Sequence, residues 1–434
     1  LTEFGGGDYA TVRQFLFEPK LPTGPALFLD GLDEYRRLRG AVAAPDDLVA
    51  KLIELGRPRF CLSCRAGDWF GEIDQEAIRL TSPSRRVVVL ELMPLSEDEI
   101  TQLASEQLPD ARTFLDEAVS FGLAKLLGNP QTLDLFIRAW RSGRRPRNKF
   151  EAYQYGIEDL IRETNRVYSG RGASAISAAT LWSAAAAISS TGLLGHAVGV
   201  TRRQDESNDE FFASSLVPFD TPSAVDEALG RRVFTSPSTD CFQSCHRTIA
   251  EFLAGSDLAK RVAAGLPISR VLALMCGLDG GPVAALRGLF GWFMCHLSSR
   301  AELYVGLDPY AVATYGDASV LPPAVQLAMW NALGRLRDPW FLTNEDDRGT
   351  FNGLANRDTT LRLKQLLADP QTAVHLKIAA LEALATANSD LGLTAELETF
   401  VLAPLDNSWL RSTALKALAK AKGGDVAYLT TLDG

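Results

Sequence analysis

The chain is poor in cysteine and histidine and carries no excess of positive charge. Its 434 residues include 6 Cys and 4 His, and 44 Lys and Arg stand against 53 Asp and Glu, which gives a formal net charge of −9. This charge argues against general affinity for nucleic acids or anionic membranes. The scattered cysteines do not form the framework of a small secreted domain, so we expect a reducing, cytoplasmic location.

Long apolar runs and targeting segments are also missing from the sequence. No secretory signal peptide is visible. Residues 175–200 are uncharged, but they are mostly Ala, Ser and Gly, with Gly192 and His196 among them. We therefore predict a buried helix followed by a loop in this stretch, and no membrane partner.

Two groups of cysteines have a spacing that resembles metal sites. Cys61 and Cys64 form one pair, and Cys241, Cys245 and His246 form a second group. A structural zinc site usually uses two tight knuckles, so buried cysteines are the favoured interpretation and a joint zinc site is the alternative. Basic runs at residues 36–39 and 141–147 are interpreted as solvated surface and interdomain pairing.

The first 145 residues alternate between strand and helix signals, which favours a parallel sheet covered by helices. Strands are predicted at residues 27–29, 59–63 and 86–92. A helix opens at Pro45, and its apolar face is formed by Leu48, Leu52, Ile53 and Leu55. Ser96 with Glu99 three residues later predicts a capping box and the start of a helix.

From about residue 149 the sequence pattern predicts mainly helices. Extended runs at residues 231–235 and 240–244 predict a small hairpin, and helix signals resume at Thr248. In the last third, an Ala/Leu-rich pattern at residues 376–385 recurs at residues 410–419, an offset of 34 residues that also relates Pro370 to Pro404. A weaker match to the same pattern lies at residues 325–333. We interpret these as helical repeats that stack into a solenoid, with chance similarity of two amphipathic helices as the alternative.

The stretch ALFLDGLDEYRR, residues 26–37, places acidic side chains directly after an apolar strand. Asp30 ends the strand, and Asp33 and Glu34 follow. The carboxyl ends of strands are where open α/β sheets bind ligands, and grouped hard oxygens suit Mg²⁺ and the phosphates it carries. Arg65 follows the next strand, whose end should lie beside Asp30. Arg65 is a candidate for binding the γ-phosphate of a nucleotide. The alternative is an ion pair between Arg65 and Asp68.

Four motifs in order resemble the NACHT class of STAND NTPases, within the wider AAA+ group. ALFLDGLDE resembles Walker B, and FCLSCRAGDW resembles sensor 1. LMPLSEDEI followed by LLGNPQTLDLF resembles the passage into the helical lid, and FQSCHRTIAEFLAG, residues 242–255, resembles the winged-helix signature. The motifs span residues 25–255. A weaker resemblance to bacterial members with helical-repeat sensors extends to LDPYAVATYGD, which ends at Asp317.

The resemblance implies roles for particular residues. Asp30 would hold Mg²⁺, and Asp33 and Glu34 would orient or deprotonate the attacking water. Arg65 would sense the γ-phosphate of ATP. Pro130 would pack near the adenine, and His246 would contact the β-phosphate of ADP. The alternative for His246 is a purely structural, hydrogen-bonded group before a helix.

The family's G-x-x-x-x-G-K-[ST] motif does not occur in these 434 residues. Gly5, Gly6 and Gly7 lack the Lys. We expect that motif upstream of Leu1, and we do not expect this stretch alone to bind ATP tightly or to be active.

The resemblance thus implies an α/β partial P-loop NTPase core, an all-α lid, a winged-helix unit and a HEAT-like α-solenoid. The expected bounds are residues 1–92, 93–170, 171–260 and 261–434. The implied function is a slow switch ATPase in signalling or antiviral defence, with an ADP-bound off state and an ATP-bound oligomeric on state. Its partners would be further copies of itself and a protein or phage ligand on the repeats. The alternatives are a non-catalytic helical-repeat scaffold with a degenerate core and a STAND-type transcriptional regulator.

Overall fold

The computed structural model of the chain describes residues 26–32, 43–64, 72–82, 84–90, 93–120, 127–162, 176–203, 210–238, 240–336, 350–387, 390–402 and 408–423. Within these ranges the protein is mostly helical and contains two small β-sheets. The chain divides into two compact units, Leu1–Met93 and Pro94–Gly434. Each unit is described by itself.

The first unit contains a parallel pair of strands against a helix. Its elements are β1 (Ala26–Leu29), α1 (Ala43–Glu54), β2 (Arg59–Leu62) and α2 (Glu72–Arg79). β1 and β2 run parallel, with Leu29 opposite Leu62. Leu29 packs with Leu48 and Leu52 of α1 in a small core. The two predicted strands and the helix opening near Pro45 are confirmed.

Two sequence predictions in this unit are wrong. The predicted strand at 86–92 does not form: its described part, residues 86–90, has no strand conformation, and Val88, Val89 and Leu90 are 74%, 52% and 84% exposed. A run of Val has high β-propensity, but a strand needs a partner and a buried face, and neither is present among the described residues. Ile53 is also 39% exposed, because it points away from the strands that α1 covers.

The second unit begins with four described helices. They are α3 (Glu97–Gln107), α4 (Ala111–Ser120), α5 (Pro130–Arg141) and α6 (Lys149–Arg162). The predicted capping box is confirmed, because Ser96 Oγ accepts from the Glu99 N–H and the Glu99 carboxylate accepts from the Ser96 N–H. α3 is the helix that Ser96 is predicted to begin, and α6 begins at Lys149, where the sequence pattern becomes helical throughout.

A four-stranded sheet and three helices follow. The helices are α7 (Ala178–Leu194), α8 (Pro222–Leu229) and α9 (Arg247–Ala263), and the strands are β3 (Gly199–Thr201), β4 (Phe211–Ala213), β5 (Phe234–Ser238) and β6 (Cys241–Ser244). The strand order is β4-β3-β6-β5. β5 and β6 pair antiparallel, so the predicted hairpin is confirmed, with its first strand displaced towards the C-terminus. β3 and β4 were not predicted, because three residues are too few to give an alternating pattern.

The predicted buried helix at residues 175–200 is confirmed as α7. Ser177 caps its N-terminus and eight of its residues, including Ala184 and Ser190, are buried. Among the described residues, no helix has the length and apolarity needed to cross a membrane.

Four more described helices follow. They are α10 (Ile268–Met275), α11 (Arg287–Leu297), α12 (Pro309–Tyr315) and α13 (Pro323–Leu333), with 3₁₀ turns at Ala284–Leu286, Ser298–Ala301, Val305–Leu307 and Ala318–Val320. Of these, α11 packs on α9, α12 packs on α11, and α13 packs on α12. Gly255 of α9 allows the closest approach to α11, since a Cβ there would lie 2.9 Å from the Phe293 backbone nitrogen.

The last described helices form two pairs with the same spacing. α14 (Thr360–Ala368) and α15 (Val374–Ala385) are followed by α16 (Thr394–Leu402) and α17 (Ser408–Ala421). Each helix of the second pair begins 34 residues after its counterpart, the offset read from the sequence. The weaker match at 325–333 lies on α13, outside this register, and Pro404 lies outside the described residues.

Candidate functional site

The carboxyl ends of β1 and β2 are joined by Ser63. Its hydroxyl donates a hydrogen bond to Asp30 Oδ1 and accepts one from the Gly31 N–H at 2.9 Å. Its backbone N–H donates to Leu29, and its carbonyl accepts from Leu32. Gly31 has a φ of +80°, a conformation that favours glycine. The prediction that these two strand ends lie side by side is confirmed.

Asp30 is exposed at this strand end, and its carboxylate is oriented by a hydroxyl donor. An accessible, hydrogen-bonded carboxylate is a chemically suitable ligand for Mg²⁺ or for a water bound to Mg²⁺. Asp33, Glu34, Arg65 and Asp68 lie outside the described residues, so their predicted roles stay predictions. Within the described part of the chain, no group of three His, Cys, Asp or Glu side chains could hold a metal ion.

Sequence reasoning missed Ser63. It belongs to the quoted FCLSCRAGDW motif, but no role was assigned to it. The signal was its position, since the first residue after a parallel strand faces the residue that ends the neighbouring strand. The structure therefore makes Ser63 the residue that orients Asp30.

Pro130 is the first residue of α5 and is exposed. The preceding Asn129 caps the helix, because its side-chain oxygen accepts from the Thr132 N–H at 3.0 Å. Proline suits this position, where its missing N–H leaves no hydrogen bond unmade. The Asn-Pro pair therefore has a structural explanation, which neither requires nor excludes the predicted contact with adenine.

His246 is the N-cap of α9. Its Nδ1 accepts from the Thr248 N–H at 3.2 Å and lies 2.8 Å from the Thr248 hydroxyl. A ring nitrogen that accepts from an amide carries no proton, so the neutral imidazole carries its proton on Nε2. His246 is therefore a hydrogen-bonded group at the start of a helix, and its predicted contact with a phosphate stays a prediction.

Tyr153 of α6 reaches this histidine through Thr248. The Tyr153 hydroxyl donates to Thr248 Oγ1 at 3.2 Å. The phenol is enclosed, and burial raises its pKa, while hydrogen bonding by Thr248 and Thr132 lowers it. Thr132 lies in the first turn of α5, two residues after Pro130. Tyr153 therefore links the start of α5 to the start of α9.

The residue after His246 forms a buried ion pair within α9. Arg247 Nε lies 2.7 Å from Glu251 Oε1, and Arg247 also donates to the Ala285 carbonyl. Glu251, the glutamate of the FQSCHRTIAEFLAG motif, is 3% exposed. A Cβ at Gly288 would collide with its carboxylate. This acid is therefore an ion-pair partner within α9 that packs against the start of α11, and Arg247 supplies the hydrogen bond to the neighbouring 3₁₀ turn.

The cysteines are free thiols within the described residues. Burial raises the pKa of Cys245 to about 11, an effect that Arg138 partly opposes. Cys241 is buried. A thiol held neutral is a poor metal ligand and nucleophile, which supports the interpretation of Cys245 as structural. Cys61 is exposed and Cys64 is half-buried, so the prediction of buried cysteines is wrong for Cys61.

The basic run at residues 141–147 is ion-paired and stacked, but the partners lie within the predicted lid region, so these contacts do not show the predicted interdomain pairing. Arg144 pairs with Glu158, and Arg145 lies over the Trp140 ring at 3.5 Å. The run at residues 36–39 lies outside the described residues.

The LDPYAVATYGD segment joins α6, α11 and α12. Asp308 accepts from Arg287 Nε at 2.7 Å and caps α12 through the Ala311 N–H. Asp317 accepts from the Phe150 N–H of α6 at 2.8 Å. The two aspartates are therefore helix caps at a junction of three helices.

No protein-family model matches the chain, and the comparison with curated proteins finds no match.

Proposed function

We propose that the chain is part of a nucleotide-switched ATPase of the STAND type. The observation that carries this proposal is the Ser63 bridge between the ends of β1 and β2. A Walker B strand and a sensor 1 strand work together only if their ends adjoin, and here Asp30 and Ser63 are hydrogen-bonded. The carboxylate at this edge would hold Mg²⁺, directly or through water, and the ion would neutralise phosphate charge.

The second unit supports the same proposal through its helices and small sheet. In a winged-helix unit, a hairpin follows a short helix and pairs with an earlier strand. α8, β5 and β6 have this order, and β6 pairs with β3. The paired helices α14–α17 support a HEAT-like repeat region. The helices from Glu97 to Arg162 would then form the lid.

His246 is suited to contact with a phosphate. Its backbone-bound Nδ1 leaves the ring proton on Nε2, and an N–H donor is what a phosphate oxygen accepts. In this proposal, ADP holds an off state, ATP supports an on state that oligomerises, and a ligand on the repeats biases the two. The cofactors are ATP or ADP and Mg²⁺.

The experiment is Mg²⁺-dependent ATP hydrolysis by the complete gene product. Asp30→Ala is expected to lower the rate on the order of 100-fold. The matched control is Asp46→Ala, which removes an exposed acid of α1 in the same unit. Hydrolysis by Asp30→Ala at the unmutated rate would remove Asp30 from the site. A gene product that neither binds nor hydrolyses nucleotide would favour the alternative function, a non-catalytic helical-repeat scaffold.

A further inference from the structure

A small cavity lies between the two helix pairs of the repeat region. It has a volume of about 120 Å³ and is bordered by the end of α15, the loop before α16, α16 itself and the C-terminal part of α17. We propose that this cavity binds a free aliphatic amino acid, with the side chain inside the cavity and the two charged α-groups at its mouth. The proposal goes beyond the proposed function and does not depend on nucleotide binding.

The floor of the cavity is apolar. It is formed by buried leucines and alanines, namely Leu384, Ala387, Leu393, Leu397 and Ala417. A cavity of about 150 Å³ with a similar apolar lining takes up benzene. The floor therefore suits an aliphatic group of about four carbons, such as the side chain of leucine or isoleucine, and is too small for a lipid chain.

Two opposite charges border the same cavity. Asp390 precedes α16, and Lys420 lies in the last turn of α17. Both are exposed, and within the described part of the chain neither has a salt-bridge partner. The Gly392 N–H donates to Asp390 Oδ1 at 2.8 Å, which orients the carboxylate. The mouth is therefore complementary to a ligand that carries both an ammonium and a carboxylate.

A free α-amino acid carries these two charges and its side chain on the same carbon atom. Asp390 would accept a hydrogen bond from the ammonium, and Lys420 would donate one to the carboxylate. An internal residue of a peptide has neither charge, and each end of a peptide has only one of them. The apolar floor with both charges at the mouth therefore favours a free aliphatic amino acid over a peptide.

The affinity should be modest, because charge pairs at an exposed mouth contribute little to binding. Burial of the aliphatic side chain supplies most of the binding free energy. We expect a dissociation constant on the order of 1 mM for L-leucine.

The first test is a saturation-transfer NMR titration of the 434-residue chain with L-leucine. Glycine, which lacks the aliphatic group, should bind at least about tenfold more weakly. N-Acetylleucine lacks the ammonium and leucinamide lacks the carboxylate, so each should bind about threefold more weakly than leucine. No saturation transfer to leucine at about 10 mM would overturn the proposal. Equal affinities for leucine and N-acetylleucine would also overturn it, because a peptide C-terminus would then fit as well.

The second test locates the ligand with Lys420→Met and Asp390→Asn, which each remove one charge at an exposed position. Each variant should bind leucine about threefold more weakly. Lys420→Met should also lose the preference for leucine over leucinamide, and Asp390→Asn the preference for leucine over N-acetylleucine.

The matched control is Lys416→Met, which changes an exposed lysine of α17 that does not border the cavity. It should bind leucine with the affinity of the unmutated chain. A leucine affinity that is unchanged in both Lys420→Met and Asp390→Asn would place the ligand elsewhere and overturn the proposal.

Discussion

Lys149, the first residue of α6, caps the C-terminus of α12, and Asp317, just beyond that C-terminus, caps the N-terminus of α6. The Lys149 ammonium donates to the carbonyls of Thr314, Tyr315 and Gly316 at the end of α12, with the shortest distance 2.9 Å. The Asp317 carboxylate, just beyond that end, accepts from the first turn of α6, which Lys149 begins. A cation thus lies at a helix C-terminus and an anion at a helix N-terminus, the favourable arrangement for both helix dipoles.

The reciprocal caps connect regions that are far apart in the sequence. α6 belongs to the proposed lid, and α12 precedes the helical repeats. Burial lowers the pKa of Lys149, and the nearby Asp317 charge raises it. An ammonium enclosed in this way is held by its carbonyl acceptors and by that charge. Its loss should therefore loosen the contact between the two regions.

Lys149→Met is expected to lower the free energy of unfolding by about 3 kcal/mol. It leaves three carbonyls without their donor and the Asp317 charge without its neighbour. Chemical denaturation of the 434-residue chain measures the change. The control is Lys260→Met at an exposed position of α9, which should cost less than about 0.5 kcal/mol. Equal losses in the two variants would contradict the capping role.

Gly255→Ala is expected to destabilise the chain by about 2 kcal/mol or more. Its Cβ would lie 2.9 Å from the Phe293 nitrogen and 3.0 Å from the Trp292 carbonyl carbon. Both are backbone atoms, so α9 and α11 would have to separate. Thermal unfolding of the variant measures the effect.

Gly192→Ala is the matched comparison, because Gly192 also lies within a helix. Its Cβ would meet only a ring atom of Phe212, at 3.4 Å. Alanine has the higher helix propensity, so this variant should be neutral or stabilised by up to about 1 kcal/mol. A loss at Gly192 as large as that at Gly255 would show that helix contact is not the cause.

His296 should make the chain sensitive to acid. Its ring packs against Phe150 and Phe252, and burial lowers its pKa to about 4. The unfolded chain takes up a proton near pH 6.5 and the folded chain does not, so stability falls as the pH drops from 6.5 towards 4. The expected loss between pH 7 and pH 5 is roughly 1 to 2 kcal/mol.

The measurement is the melting temperature of the unmutated chain and of His296→Gln at pH 7 and pH 5. The variant cannot titrate at this position, so its fall in melting temperature should be smaller. His196→Asn, at an exposed histidine, should keep the unmutated fall. A fall in His296→Gln as large as in the unmutated chain would assign the acid sensitivity to other groups.

The local parts of the fold could be predicted because their signals lie within a few residues. The Ser96 and Glu99 capping box, the helix at 175–200 and the 34-residue repeat spacing are of this kind. The adjacency of β1 and β2 was also predictable, since parallel strands joined through a helix commonly pair.

The remaining features depend on contacts between distant residues. Thr248 lies 95 residues from Tyr153, and no local pattern indicates that their hydroxyls meet. The prediction of a strand at 86–92 is wrong for a related reason. β-propensity measures how well a residue fits a strand that is already paired, and it does not supply the partner strand. The sequence therefore indicated Asp30 and His246 but missed Ser63, which hydrogen-bonds Asp30, and the contact between Tyr153 and Thr248.

A nucleotide-switched ATPase with an ADP-bound off state should carry ADP through purification, so the nucleotide content of the purified, complete gene product is the decisive measurement. The protein is denatured, and the released nucleotide is separated and quantified. We expect ADP close to the protein concentration, and much less ADP on His246→Ala, with His375→Ala as the control. A well-folded gene product that carries no nucleotide, and that takes up neither ADP nor ATP with Mg²⁺, would contradict it.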